Sequence, residues 1–409
     1  MLRALATSLV VVGLLGAGGI AWFYNDLSEM MTRVDVKLDA AAGGAMNVLV
    51  IGSDSRAGVT GEDIQRFGRG GQKLADTIII AQIVPAETRG TLLHFPRDLW
   101  VDVAGGGKAK INSSYARGPQ AVIDTVQDLT GIPINHYIEV DFHGFRRMVD
   151  AIGGIDVCLD ERMYDPKLNF RLPAGHNHLE GNAALTFVRS RHSSGDGDFG
   201  RIRRQQQFMR AVVQKVGRPT VMGNPLRVKR LGEAFAQNAT VDPNFNLDDM
   251  LRLALSVKRV GVDQIATLSV PGRLSNMNRQ SVVIMDERKA QRIFEAMRDV
   301  RDPARALAPH VAVEDASGRG LLEEVSQQLE ARGFVVDRKE TVTPQQRTVV
   351  SYPKELAEEG HQVADHLPDA RRLNRGTDIV VLIGSDFEGL AEQAAPQPGG
   401  APAPAGACG

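Results

Sequence analysis

The chain has 409 residues, 43% of them hydrophobic, and a formal net charge of −1. That length admits two or three domains with a sizeable core, while near-neutrality argues against a nucleic-acid binder, whose affinity rests on a broad positive face. Its two cysteines, Cys158 in an apolar run and Cys408 close to the carboxyl end, indicate neither a disulfide framework nor a Cys-based zinc site, and Cys158 reads as a small packed hydrophobe.

Leu5 to Tyr24 is nearly all apolar, carries no charge and has the length of a membrane span. Arg3 precedes it and Asp26 and Glu29 follow, which predicts a cytoplasmic amino end. The small residues Gly16 to Gly19 would suit a cleaved signal peptide, but the apolar run continues through Ile20, Trp22 and Phe23 and favours an uncleaved anchor. Residues 1–25 are therefore read as cytoplasmic end and transmembrane helix, and 26–45 as a juxtamembrane segment. All that follows then lies outside the membrane.

A first domain is expected over 46–301. Asn47 to Ile51 predicts a buried strand, and the Gly52-Ser-Asp-Ser-Arg56 that follows places Asp54 at its carboxyl end, where open α/β sheets bind ligands. Ala57 to Gly71 reads as a polar, glycine-rich loop. Further strands are expected over Thr77–Val84, with Asp76 at the threshold, and over Thr91–Phe95, which runs into Pro96-Arg97-Asp98. Three apolar strands with charged ends suggest one sheet converging on one site. Gly105-Gly-Gly-Lys-Ala-Lys110 lacks the spacing of a phosphate loop, although Lys110 stays a candidate anion contact. Helices are expected over 119–130, 142–152, 179–188, 246–258 and 286–300, with strands over 137–140, 155–159 and 267–270.

The densest chemistry lies in Phe187 to Gln207, where Arg189, Arg191, Arg201, Arg203 and Arg204 surround a glycine-rich loop carrying Asp196 and Asp198. Guanidinium is planar, permanently charged and bidentate, so such a cluster suits phosphate or diphosphate oxygens. Asp198 reads as the N-cap of a helix starting near Phe199. On that helix Arg201, Arg204 and Gln205 stand at i, i+3 and i+4 and share a face, able to converge on one anion with Arg189 and Arg191. A solvated arginine-rich surface is the plainer alternative. Asp54 and Asp76 form a carboxylate pair that Mg²⁺ plus diphosphate would complement. His176 and His178 have no third ligand at a recognisable spacing and read as a loop. Neither a serine-hydrolase elbow nor an H-E-x-x-H zinc motif occurs.

Residues 302–309, with two prolines, read as a linker, and 310–388 as a small second α/β domain with strand–helix–strand repeats. Leu382-Ile-Gly-Ser-Asp386 echoes Val50-Ile-Gly-Ser-Asp54 by chance. The Ala/Pro/Gly-rich tail, 389–409, reads as disordered.

The blocks Val50–Arg56, Ala75–Thr77, Phe95–Asp98, Lys110–Asn112, Phe187–His192 and Gly197–Gln206 resemble, in order, those of LytR-CpsA-Psr proteins, and 310–387 resembles the LytR C-terminal domain of actinobacterial members. The resemblance implies a three-layer α-β-α catalytic domain with a mixed central sheet. It implies a membrane-anchored phosphotransferase that takes a glycopolymer, arabinogalactan being the weakly favoured one, from a polyprenyl-diphosphate carrier and joins it to a peptidoglycan hydroxyl. By position, Asp54 and Asp76 resemble the ligands of Mg²⁺ (or Mn²⁺), and Arg97, Lys110, Arg189, Arg191 and Arg201 the diphosphate contacts. Asp198 and Gln205 resemble residues that orient arginines and head group. Asp76 or Asp98 would serve as base. In the family an Arg usually stands two residues before the second-block Asp; here that residue is Leu74. A polyprenyl-diphosphate phosphatase and a non-enzymatic wall-binding regulator are the competing readings.

Overall fold

The computed structural model describes residues 27, 29–40, 44–53, 74–190, 197–217, 225–260, 264–277 and 280–391. Residues through Val300 belong to one compact unit and those from Arg301 to a second. Among the described residues no helix is long and apolar enough to cross a membrane; the run Leu5–Tyr24 lies outside them.

In chain order the first unit contains β1 (Thr32–Arg33), β2 (Met46–Ser53), β3 (Ala75–Val84), β4 (Arg89–Phe95), β5 (Trp100–Val103), β6 (Gly107–Lys110), a 3-10 segment (Ile111–Arg117), α1 (Pro119–Thr130), β7 (His136–Asp141), α2 (Phe142–Ala151), β8 (Ile155–Leu159), β9 (Met163–Asp165), β10 (Phe170–Leu172) and β11 (Gly175–Leu179). It continues with α3 (Gly181–Arg189), α4 (Gly197–Gly217), α5 (Pro225–Asn238), β12 (Ala239–Val241), α6 (Leu247–Val260), β13 (Ile265–Ser269), β14 (Gly272–Met277), β15 (Gln280–Met285) and α7 (Glu287–Arg298).

Seven strands form a mixed sheet in the order β1-β12-β7-β2-β3-β4-β13. β3 runs antiparallel to both of its neighbours, β2 and β4, whereas β7 runs parallel to β2 and β13 parallel to β4. The Ile78-Ile-Ile80 run of β3 is buried throughout, as expected of a β-branched strand covered on both faces. Gln82 interrupts that run but its Nε2 donates to Asn47 Oδ1 at 3.0 Å and to the Met297 carbonyl of α7 at 2.9 Å. Its amide nitrogen is thus satisfied, while Oε1, equally buried, has no hydrogen-bond partner among the described residues, an orphaned group of the kind that costs about 1–3 kcal/mol.

The structure alters several expectations. Asp76 is the second residue of β3 and stands inside the strand. The α5 helix, β12 and the β14–β15 hairpin were not read from the sequence. Asp198 lies inside α4 and is not its N-cap, because Gly197 is already helical. His176 and His178 sit on β11, paired with β8, and not in a loop.

In the second unit a helical turn, α8 (Pro303–Ala306), occupies the segment read as a linker. It is followed by β16 (His310–Asp315), α9 (Leu322–Ala331), β17 (Val335–Thr341), β18 (Val349–Tyr352), α10 (Ala357–Ala364), β19 (Arg371–Asn374) and β20 (Ile379–Ile383). The five strands order as β17-β16-β20-β18-β19 around a core that includes Val313, Leu329, Tyr352 and Val381. α9 begins only at Leu322, because Asp315 holds the connecting loop: its carboxylate accepts from Ser317 N at 2.9 Å, Ser317 Oγ at 2.6 Å and Leu321 N at 2.7 Å.

Candidate active site

Antiparallel pairing explains why the charged residues converge. β2 ends, β3 begins and β4 ends at the same edge of the sheet, with Gly52 opposite Thr77 and Ile78 opposite Phe95. Gly52 is required there, since a Cβ would stand 2.9 Å from Thr77 Cβ. Arg97 follows β4 and reaches back across this edge, its Nη1 donating to Asp76 Oδ1 at 2.6 Å. Its Nε is 3.4 Å from Asp98 Oδ2, and Lys110 Nζ lies 2.9 Å from Asp98 Oδ1. Asp76, Arg97, Asp98 and Lys110 thus form one chain of alternating charge. Backbone bonds fix its far end, with Asn112 N donating to the Arg97 carbonyl at 3.1 Å and Ile111 N to the Leu99 carbonyl at 2.8 Å.

A cavity of about 540 Å³ opens at this edge, within the ~300–1,000 Å³ usual for ligand sites. Asp76, Thr77, Arg97, Asp141, Arg189 and Gln205 supply its polar lining. The remainder of its wall is apolar and comes from β2, β3 and β7 and from α2, α3, α4 and α5, including Phe145, Met148, Leu185, Phe208, Val212 and Leu231. Lys110 and Asp98 do not line it; they stand behind Arg97 and hold it. Asp141 both lines the cavity and caps α2, its Oδ1 accepting from Gly144 N at 2.7 Å.

Arg189 is the last residue of α3, where a cation meets the negative end of the helix dipole. Its guanidinium lies 4.2 Å from the centroid of the Phe142 ring, a cation–π placement on the cavity wall. The next residue is clamped from two sides. Ser190 Oγ donates to the buried Asp165 Oδ2 at 2.6 Å, and the Ser190 carbonyl accepts from the Arg204 guanidinium. Arg204 is therefore spent on the backbone and does not join Arg201 and Gln205 on an anion, as the helical spacing suggested. Gln205, Phe208, Met209, Val212 and Val216 make one stripe of α4 along the cavity, at i, i+3, i+4, i+7 and i+11. Gln205 Nε2 also reaches Thr77 Oγ1 at 3.4 Å. Arg201 occupies the register position one turn before Gln205 on that stripe.

Asp54 and Arg191 lie outside the described residues, as does the segment 57–71 that the sequence reads as a loop. Among the described residues no group of three or more His, Cys, Asp or Glu side chains is arranged to hold a metal ion. Asp76 offers carboxylate oxygen, a hard donor that suits Mg²⁺, and Asp54 is one residue beyond Ser53, the partner of Ala75. Of the two carboxylates expected to hold the cation, only Asp76 is among the described residues. His178 Nδ1 is 2.7 Å from Asp156, whose carboxylate also meets Lys215 at 3.3 Å. The hydrogen bond from His178, opposed by desolvation, holds the Asp156 carboxyl below its ordinary range.

Three features escaped sequence reading. Phe142, beneath Arg189, carried only the signal of a helix start. Tyr115 and Tyr137 both donate to Glu139, and burial first, then that carboxylate, pushes both phenols above their usual range. Cys158 is disulfide-bonded and not a free packed thiol; the chain's other cysteine, Cys408, lies outside the described residues.

Comparison with known proteins adds an independent line. The LytR_cpsA_psr family model matches residues 23–299, and the model described as LytR cell envelope-related transcriptional attenuator matches 308–387. A probable cell wall biosynthesis protein, LcpB of Corynebacterium glutamicum, is 34% identical over 70% of each chain. The polyisoprenyl-teichoic acid–peptidoglycan teichoic acid transferase TagU of Enterococcus faecalis is 31% identical over 62% of this chain and 82% of its own. Among solved structures, TagV of B. subtilis superposes with a TM-score of 0.52 at 26% identity, covering 63% of this chain and 99% of its own.

Proposed function

Because the chain belongs to the LytR-CpsA-Psr family, we propose that it transfers a glycopolymer from a polyprenyl-diphosphate carrier to a peptidoglycan hydroxyl in cell-wall assembly. The observation that carries this reading is the division of the cavity into a charged mouth at Asp76, Arg97, Arg189 and Gln205 and a long apolar body. A soluble anion would need only the mouth, and a fatty molecule only the body. An amphiphile with a diphosphate head and a prenyl tail uses both.

In the reaction the acceptor hydroxyl oxygen attacks the glycan-side phosphorus, the bond from that phosphorus to the bridging oxygen breaks, and polyprenyl phosphate leaves. The hydroxyl proton passes to a carboxylate of the mouth. Such a transfer depends on alignment and on neutralising spread negative charge. Arg97, held by Asp76 and backed by the Asp98–Lys110 pair, and Arg189, held over Phe142, supply fixed positive charge on the cavity wall. Arg191, Arg201 and Gln205 extend that set by their positions in the sequence, with Asp198 and Gln205 orienting the arginines and head group. Mg²⁺ held by Asp54 and Asp76 would neutralise the diphosphate oxygens when bound. Arabinogalactan is the polymer we favour, on the actinobacterial resemblance of the sequence and not on any residue of the cavity.

We assign the run Leu5–Tyr24 to a single membrane anchor with its amino end in the cytoplasm, and the catalytic unit, with the three-layer arrangement of the family, to the outer side. The disulfide at Cys158 supports that side, since such bonds persist in oxidising compartments. The test uses the full chain in proteoliposomes with a polyprenyl-diphosphate-linked glycan and peptidoglycan, with Mg²⁺ or chelator. Metal-dependent formation of a phosphodiester-linked product, lost in Arg189→Ala, is expected. Phosphate release without ligation would replace the transferase with a phosphatase.

A further inference from the structure

Leu27, the first described residue from the amino end, is buried between two helices. Leu27, 1% exposed, touches the position a Cβ would take at Gly232 of α5 at 3.4 Å, and Met250 of α6 approaches the same point at 3.9 Å. The outward sides of these two helices are unusual for a protein surface. Leu226 on α5 is 68% exposed and Leu255 on α6 is 52% exposed, two of the large hydrophobic side chains exposed among the described residues. Around them stand the exposed Arg227, Lys229 and Arg230 of α5 and the exposed Arg252 and Arg259 of α6. On α6 the exposed positions Asp248, Arg252, Leu255 and Arg259 make one stripe at i, i+4, i+7 and i+11. Acidic groups on the two helices, Glu233, Asp248 and Asp249, are fewer than the five cations, and Glu233 is already paired with Lys229 at 3.3 Å.

Covalent geometry locates this face. Leu226 precedes Gly232 by six residues and Leu255 follows Met250 by five, so each leucine lies within about 10 Å along its helix of the place where Leu27 is held. Leu27 follows Tyr24, the end of the apolar run, by three residue steps, which span at most about 11 Å. A bilayer containing that run therefore lies close to the basic, leucine-bearing face. The inner side of α5 completes the relation, because Leu231, next to the exposed Arg230, lines the apolar end of the cavity.

We propose that the outward faces of α5 and α6 dock on an anionic lipid surface, seating Leu226 and Leu255 at the interface and turning the apolar end of the cavity toward the bilayer. The inference rests on the anchor reading given above. Cations near an anionic membrane contribute attraction that falls off within a Debye length, and the two leucines add apolar contact at the headgroup boundary. Neither helix needs to unfold. The carrier's prenyl chain would then pass from the membrane into the cavity without crossing water.

The test places tryptophan on the full chain, reconstituted in vesicles of mixed anionic and zwitterionic lipids carrying bromine near the headgroups. Leu226→Trp and Leu255→Trp are expected to add a blue-shifted, bromine-quenched emission over the parent chain. Leu274→Trp, at an equally bare site on β14, is expected to add an unquenched one. The pair Arg230→Glu and Arg252→Glu should release the quenching of Leu255→Trp while circular dichroism stays unchanged. Chains that float with the vesicles yet show no quenching at 226 and 255, or equal quenching at 274, would overturn the docking. Failure to float at all would overturn the anchor reading and the docking with it. None of these readouts depends on turnover.

Discussion

Arg97 Nη1 stands 2.6 Å from Asp76 Oδ1, joining a residue two positions beyond β4 to the second residue of β3 across the mouth of the cavity. Both side chains are about one-fifth exposed, at 18% and 20%, so the pair adds little to stability, on the order of 1 kcal/mol or less. Its consequence is positional. Arg97→Ala and Asp76→Asn should each lower kcat/KM for glycan transfer by about 10²–10³, the size of a lost preorganised electrostatic contact. The double variant should lose little more than the worse single, since the two act as a unit. Thermal unfolding should barely move. Fully additive kinetic losses would mean that the two residues serve separate steps.

The ring of Phe142 lies under the Arg189 guanidinium at 4.2 Å. Phe142→Leu keeps an apolar wall and removes the π face. Binding of a prenyl diphosphate should weaken by about 2- to 30-fold, the range of a cation–π contact worth ~0.5–2 kcal/mol. Binding of the uncharged prenyl alcohol should hold. Equal losses for both ligands, measured by calorimetry, would make Phe142 a wall residue only.

Much of the charged mouth was legible because its residues sit beside strong signals. Asp76 and Arg97 flank apolar strands, and Arg189 ends a short helix before a glycine-rich loop. What the sequence hid was partnership. Arg204 shares helical spacing with Gln205, yet its guanidinium turns to the Ser190 carbonyl, a choice made by a backbone group no spacing rule locates. The apolar walls were equally silent, because Phe145, Phe208 and Val212 follow the same periodicity as core residues and only the packing leaves space beside them. The β14 strand alternates weakly, with no position fully buried. Elements that face outward leave little period to detect.

Asp242, fully buried, is set between His136 Nδ1 at 3.2 Å, Tyr137 N at 3.0 Å and Asn244 N at 2.9 Å. Burial alone would raise its carboxyl, but these donors outweigh it and hold the group below the ordinary range. A depressed folded value means stability that is fully present above the unfolded carboxylate value near ~3.9 and is lost as pH falls through the folded one. Asp242→Asn should therefore lower stability at neutral pH and flatten the acid limb of the denaturation profile. The measurement is denaturant unfolding from pH 7 down to pH 2. An acid limb as steep as the parent's would assign the linkage to other carboxylates.

Val212 stands at the middle of the α4 stripe that lines the cavity, between Phe208 and Val216. Enlarging it fills space that a prenyl tail would occupy, without touching the arginines of the mouth. Val212→Trp should lower turnover of a long-chain polyprenyl-diphosphate carrier about tenfold or more, as expected where overpacking costs ~1–3 kcal/mol. A short-chain carrier, whose tail stops before Val212, should react at nearly the parent rate. The comparison separates a blocked tail from a damaged fold, since a misfolded variant would lose both substrates alike. Unchanged turnover of both carriers would show that the tail does not run along α4, and would move the lipid-binding wall to the α2 side of the cavity, at Phe145 and Met148.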